Sequence, residues 1–329
     1  MLMQAGFLCL ETGLTRSKNS TNVAVKNLTD LGVSMLVFWV LGFGLMFGLS
    51  EGGVFGTTRF LADLGALSPG STVFFFFQAL FCGTAVTIMS GAVAGRLRFS
   101  WYLGLSTAVT ALVYPIFGHW AWNEGGWLAE LGFIDFAGGT VVHSVGGWAG
   151  LALILILGPR QGRFGPDGSR PVTGSNLSFA TLGALLLWVG WVGFNGGSLL
   201  RYDDQVVSVI ANTAMAGAAG LVASLFARWF REGKVRVTSP INGLLAGLVS
   251  VTSAANAVST FEAVVLGAAG AFVCCWVEAV LERRQIDDAV GAVPVHLGAG
   301  IWGTLAVPLF ADQAVLGTGR SLVLSLIHI

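Results

Sequence analysis

The feature that most limits this chain is its series of long apolar segments. A helix needs about 20 mostly apolar residues to cross a bilayer, where no water is present to satisfy an open backbone. Nine segments of the 329-residue sequence reach or approach that length: about 28–49, 72–95, 101–118, 138–158, 177–200, 205–230, 240–257, 261–281 and 290–311. Two more are incomplete. Residues 1–14 are too short to span and begin abruptly on MLMQAGF, and residues 321–329 (SLVLSLIHI) open an apolar run that stops. The pattern reads as eleven spans with the first and last truncated. Only 10% of residues are charged, against about 25% in a soluble domain, too few to cover a water-facing surface. The expected fold class is an all-α polytopic membrane protein, one membrane domain over 1–329.

Basic residues orient such a chain, because they favour the cytoplasmic side. Of the 17 lysines and arginines, all but Arg59, Arg201 and Arg320 fall in every second connection. The alternation puts the N-terminus outside and the C-terminus inside, and a missed span would scramble it. The formal net charge is zero, and no basic stretch suggests a nucleic-acid partner. The four cysteines (Cys9, Cys82, Cys274, Cys275) lie in apolar segments and read as small buried hydrophobes. The N-terminus lacks the basic region of a cleavable signal peptide.

The chain repeats itself once. Residues 142–150 read VHSVGGWAG and residues 295–303 read VHLGAGIWG. Each has Val-His with glycine four and seven residues beyond the His (Gly147 and Gly150; Gly300 and Gly303), and an Asp eight residues before it (Asp135 and Asp288). These are the fifth and tenth spans, and by the charge alternation they run in opposite directions. Two five-helix halves, about 1–158 and 177–311, then form an inverted repeat of the kind common in transport proteins, which brings His143 and His296 together near the midplane.

An ionisable group inside a span is costly and reads as functional by default. Three uses compete for the histidine pair. Each could be a neutral ring satisfied by a neighbouring helix. A metal site would need further Cys, His or carboxylate ligands at suitable spacing, and no HxxxH or ExxH pattern accompanies either His. A polar strip in a narrow apolar pore fits better, since imidazole donates at one nitrogen and accepts at the other. Glycine beside each His lets helices approach closely, so the solute should be small. Asp135 and Asp288 either bind a cation or cap the helices that follow them, and their place just before an apolar run favours capping. No nucleophile or carboxylate pair converges with the histidines, which argues against an enzyme, and no cofactor is implied.

Four stretches carry a family resemblance: MQAGFLCLETGLTRSKN (3–19), DFAGGTVVH (135–143), GWVGFNGGS (190–198) and IDDAVGAVPVHLGAGIWG (286–303). They resemble the Amt branch of the ammonium transporter (Amt/Rh) family, along essentially the whole chain. The resemblance implies an eleven-helix inverted-repeat channel, trimeric with one pore per subunit, in the cell's inner (plasma) membrane. It implies a twin-histidine pore at His143 and His296 and an outer ammonium-recruiting site at Trp122, Ser198 and Phe81. It further implies a gate of stacked phenylalanines, Phe81 and Phe194, and supporting acids at Asp135 and Asp288. Ammonium would be recruited, lose a proton and cross as ammonia, which K⁺ cannot imitate. Whether the proton returns outside or follows the histidines is left open.

The family commonly reads DDxxDxFxxHG here. In this chain Gly291 stands where a third Asp is usual, Pro294 lies close to the His, and Leu297 replaces the following Gly, while Asp287 and Asp288 remain. The Trp122–Asp135 spacing is one residue longer than usual. The departures gather at the cytoplasmic mouth, where a regulatory protein would dock. LCLETGLTRSKNS and DDAVGAVPVHL also resemble ammonium-transporter modules fused to cytoplasmic signalling domains, so an ammonium-sensing receptor module is the alternative reading.

Overall fold

The computed structural model describes residues 1–166 and 168–316; the apolar run at 321–329 and Arg320 lie outside them. Among the described residues the chain is a bundle built around ten principal helices. α1 is Leu2–Leu14. α2 runs Ser17–Val37, passes through a π-helical turn at Phe38–Gly42 and ends with Phe43–Phe47. α3 is Pro69–Ala92. α4 runs Phe99–Ala108, a π-helical turn Val109–Val113 and Tyr114–Trp122. α5 is Gly139–Leu157, α6 Leu177–Gly197 and α7 Gln205–Glu232. α8 is Thr238–Thr252, α9 Thr260–Arg283 and α10 Val293–Phe310. Two pairs of two-residue strands, Ser50–Glu51 with Phe55–Gly56 and Phe164–Gly165 with Gly168–Ser169, pin loops.

Local chemistry sets several helix starts. Ser68 caps α3, accepting from the Ser71 N–H at 3.2 Å, and Pro69 follows where a missing N–H costs nothing. Asn176 caps α6 through the Phe179 N–H at 2.9 Å. Ser259 and Glu262 form a reciprocal capping box on α9.

Among the described residues, eight helices are long and apolar enough to cross a membrane, and Leu2–Leu14 is a shorter apolar one. Two elements depart from the sequence expectation of spans at 28–49 and 240–257. α2 begins at Ser17, because the helix turns Lys26, Asn27 and Asp30 into the bundle, where each is buried and bonded. α8 ends at Thr252. Beyond it the chain unwinds, and the freed carbonyls of Thr252 and Ser253 accept from Ala137 and Phe136 at 3.1 Å. That exchange anchors the loop leading into α5.

Close approach is written in glycine. A Cβ on Gly183 of α6 would lie 2.4 Å from the Leu10 amide nitrogen of α1, and one on Gly147 of α5 would lie 2.7 Å from the Leu297 Cβ of α10. With no apolar driving force between helices in lipid, such contacts supply the packing. Large side chains such as Trp101, Trp148, Phe272 and Trp276 stay exposed on the outside, as a lipid- or subunit-facing surface requires.

Three connections meet at one acid. Asp287, before α10, accepts from the Arg160 side chain at 2.7 and 2.8 Å and from its amide at 2.9 Å. Arg96 reaches it at 3.3 Å and Arg163 at 3.4 Å. The connections after α3, α5 and α9 therefore lie on one side of the bundle, as the charge alternation requires. Burial alone would raise the Asp287 carboxyl; the Arg160 bonds and the Arg160 and Arg96 charges outweigh it and hold it below the ordinary value. A depressed carboxylate stabilises the fold above its unfolded pKa and loses that contribution as pH falls through the folded one. Asp287→Asn should cost on the order of 3–5 kcal/mol, by leaving buried arginines without their counter-charge. Thermal denaturation in detergent should then show a lowered midpoint at pH 7, with the gap to wild type closing below the carboxylate range.

Candidate functional site

The site begins with two acids that organise backbone. Asp135 Oδ1 accepts from the N–H of Gly138 (3.2 Å) and Gly139 (2.8 Å) and from the Ser253 hydroxyl (2.9 Å). Its Oδ2 accepts from Thr140 (2.9 Å) and Val141 (2.8 Å). Asp288 does the same for α10: Oδ1 takes Val290 (3.3 Å) and Gly291 (3.0 Å), and Oδ2 takes Val293 (2.7 Å). Of the two uses open to these acids, the geometry is that of caps. Burial pushes both carboxyls up, and the N–H donors pull against it. Gly138 and Gly291 turn the chain at φ +99° and +84°, in the left-handed region that glycine enters without a Cβ penalty.

Each capped helix opens with a π-helical turn, Gly139–Ser144 and Val293–Gly298, and each turn carries a histidine. Such turns recur at functional sites, since the extra residue re-aims a side chain. Here they bring His143 and His296 together: the Nδ1 atoms are 3.1 Å apart and the rings lie within 14° of parallel. One Nδ1 must carry the shared proton, leaving the other ring's Nδ1 as acceptor. His143 Nε2 is buried and has no hydrogen-bond partner among the described residues. A buried polar nitrogen left open costs about 1–3 kcal/mol unless a small solute fills the place.

Aromatic rings continue the line. Phe81 of α3 and Phe194 of α6 are stacked, with centroids 4.0 Å apart and planes 5° from parallel. Phe194 is 5.4 Å from the His143 ring. Trp122, at the end of α4, lies 6.1 Å from Phe81, its indole N–H donating to the Asp135 carbonyl at 2.7 Å. Ser198 sits just past α6 and donates to the Phe194 carbonyl at 2.9 Å; its oxygen keeps acceptor capacity. The structure thus joins Phe81, Phe194, His143 and His296 into one stack, with Trp122 beside Phe81. Ser198 is tied to the backbone of the stack, while the indole N–H is spent on Asp135.

Sequence reasoning missed Trp191. It is fully buried, stacks on His143 at 5.1 Å and 14°, and donates from Nε1 to Thr252 at 3.0 Å. The signal was available: Trp191 precedes Phe194 by three residues on α6, which puts both on one helix face. The departure at Gly291 also has a local cause. The φ of +84° there strains any residue with a Cβ, and a Cβ would also displace Asn242 Nδ2, 2.6 Å away.

The ammonium transporter family model matches residues 1–326. The chain belongs to the ammonium transporter family. Among relatives, the Synechocystis putative ammonium transporter sll0537 is 51% identical over 96% of this chain and 60% of its own length. The ammonium transporter Amt2 of Archaeoglobus fulgidus is 42% identical over 100% of this chain and 73% of its own length. The chain therefore spans three fifths of the first relative and about three quarters of the second. Among solved structures, a protein titled Sensor Amt Protein aligns at TM-score 0.95 and 43% identity, over 99% of this chain and 84% of that one. This ammonium transporter family member is a multi-pass membrane protein with an all-α fold.

Asp135→Asn keeps one acceptor oxygen and turns the other atom into a donor facing donors. It should destabilise the protein by about 3 kcal/mol, roughly the penalty for orphaning two buried N–H groups. A thermal-shift series in detergent, with Asp135→Glu alongside, should rank wild type above both variants.

Proposed function

We propose that this chain moves ammonium across the membrane through the line of side chains from Trp122 to His296. One observation carries the reading: two buried histidines touch end to end behind a closed pair of phenylalanines, and one of them presents an Nε2 without a partner among the described residues. Ammonium is drawn to the indole face of Trp122, an attraction of roughly 0.5–2 kcal/mol that grows as water is lost, and to the ring of Phe81 and the oxygen of Ser198. A full charge faces a large desolvation cost beyond Phe81 and Phe194. Losing a proton removes that cost for ammonium and offers K⁺ no equivalent route. Ammonia then passes the rings and bonds to imidazole nitrogen, with the histidine pair able to hand a proton along its shared hydrogen bond. Trp191 and Asp135 hold His143 in register; Asp288 does so for His296.

The matching Asp–His–Gly spacing, caps and π-helical turns of α5 and α10 support an inverted repeat within a single membrane domain. The basic connections gathered at Asp287 support their assignment to the cytoplasm, with the N-terminus outside. The family supports a homotrimer in the inner membrane with ammonium or ammonia as cargo and a cytoplasmic regulatory protein as a partner. The likeness to the Sensor Amt Protein favours a second reading, in which the same binding path reports ammonium to a signalling domain.

The test is solid-supported-membrane electrophysiology on proteoliposomes of the full chain, comparing wild type with His143→Ala plus His296→Ala after an ammonium jump. Transport predicts a sustained wild-type current that falls by at least about tenfold in the double variant, a barrier change of roughly 1.4 kcal/mol. A brief signal whose size ignores the lipid-to-protein ratio, with no sustained flux, selects the sensor. Trp122→Ala should weaken the apparent ammonium affinity several-fold while leaving the saturating current within about twofold, because it removes an attraction of about 1 kcal/mol felt before the barrier.

A further inference from the structure

One buried acid has no part in the path described so far. Glu11 of α1 is only 1% exposed. Its Oε2 accepts from Asn27 Nδ2 at 2.9 Å and from the Ser90 hydroxyl at 3.1 Å. Its Oε1 receives no hydrogen bond from the described residues; it lies over the backbone of Gly91, where a Cβ would come within 3.2 Å. Glu11, Gly91, His296 and Asn242 line one small cavity, together with Val290 and Gly291 at the start of α10. The cavity holds about one water-sized molecule. It lies on the side of His296 toward the Asp287 cluster, away from the stacked phenylalanines.

The other charged groups near Glu11 are already engaged. Lys26 donates to the Leu97 carbonyl at 2.6 Å, and Asp30 accepts from Gln4 at 2.9 Å and from the Tyr102 hydroxyl. Glu11 alone turns an undonated carboxyl oxygen into a space that a pore histidine shares. An acid in a span, left without a full set of donors, is expensive. The occupant that suits it is small and rich in N–H, or is a proton.

Building on the transport reading, we infer that Glu11 is the inner ammonium site of this protein. Ammonia released from His296 enters the cavity and takes the proton of the Glu11 carboxylic acid: an O–H bond breaks, an N–H bond forms, and ammonium leaves the carboxylate for the inner solution. The carboxylate regains its proton from inner hydronium or from the proton passed along the histidines, which closes the cycle. Gln and Ala at this position cannot perform the step.

The test uses the full chain in proteoliposomes with three readouts: sustained ammonium current, ammonia-driven alkalinisation of the vesicle lumen, and ammonium-induced difference infrared spectra in the carboxylic acid C=O region. Wild type should lose a carboxylic acid band on adding ammonium chloride. Glu11→Gln should lack that band change and carry a sustained current lower by about tenfold or more, whereas Glu11→Asp should keep the band. If Glu11→Gln does not assemble, Gly91→Ala serves, since it narrows the cavity beside Oε1 and leaves the acid in place; the band should shift and the current fall. A band change that persists in Glu11→Gln, or none in wild type, overturns the site. A wild type that gives the band change, lost in Glu11→Gln, with neither sustained current nor ammonia-driven alkalinisation of the vesicle lumen keeps the site and removes the transport reading. Sustained current with an unaltered band in Glu11→Gln keeps transport and removes the site.

Discussion

Two carboxylates bear on everything else in this structure. Inside a bilayer no water replaces a missing backbone partner, so a π-helical turn carrying a histidine must have its loose N–H groups collected by the protein itself. Asp135 collects four N–H groups in and just before its turn, and adds the Ser253 hydroxyl; Asp288 collects three in and before its own. Without these bonds the turns at Gly139 and Val293 would relax toward ordinary α-helix, and a one-residue change of register rotates a side chain by about 100° on a 3.6-residue helix. The histidines would then face different neighbours, and the stack with Phe194 would have no continuation.

The architecture was legible wherever the membrane imposed a rule. Span length and the alternation of basic connections are forced by the bilayer, so they survive in a single sequence. The Asp-then-His spacing was legible because the same local problem, capping a turn that holds a histidine, is solved twice. Other features had no such mark. Trp191 is one of 11 tryptophans; its spacing to Phe194 marks a shared helix face, but only the fold lays His143 against it. The early end of α8 was hidden because SAANA (253–257) is small and helix-compatible; only the tertiary exchange with Phe136 and Ala137 opens it. Residues 17–27 looked like a loop because polar residues at the start of a span usually face water, whereas here Lys26 and Asn27 face polar partners across the bundle.

Those polar partners give the bundle a second interior character. Along α1, α2 and α3, Gln4, Glu11, Asn27, Asp30 and Thr87 are buried and joined by hydrogen bonds. Next to them runs the aromatic and imidazole stack. Buried polar networks are high-stakes because an incomplete one costs more than an apolar core, and among the described residues this one is bonded at Asp30 and left open at Asn27 Oδ1 and Glu11 Oε1. The chain thus keeps a file of rings and a bonded polar file side by side, meeting at His296.

The stacked rings of Phe81 and Phe194 have a consequence for timing. With centroids 4.0 Å apart and planes 5° from parallel, the faces are already at van der Waals separation, and nothing fits between them. Any solute following this route waits for the rings to part. On the transport route proposed above, throughput is counted in openings per second, and the pair acts as a turnstile whose rhythm is set by two side chains. Each additional ~1.4 kcal/mol needed to separate the rings makes the openings about ten times rarer, so packing around Phe77 and Trp191, which touch the two rings, tunes that rhythm.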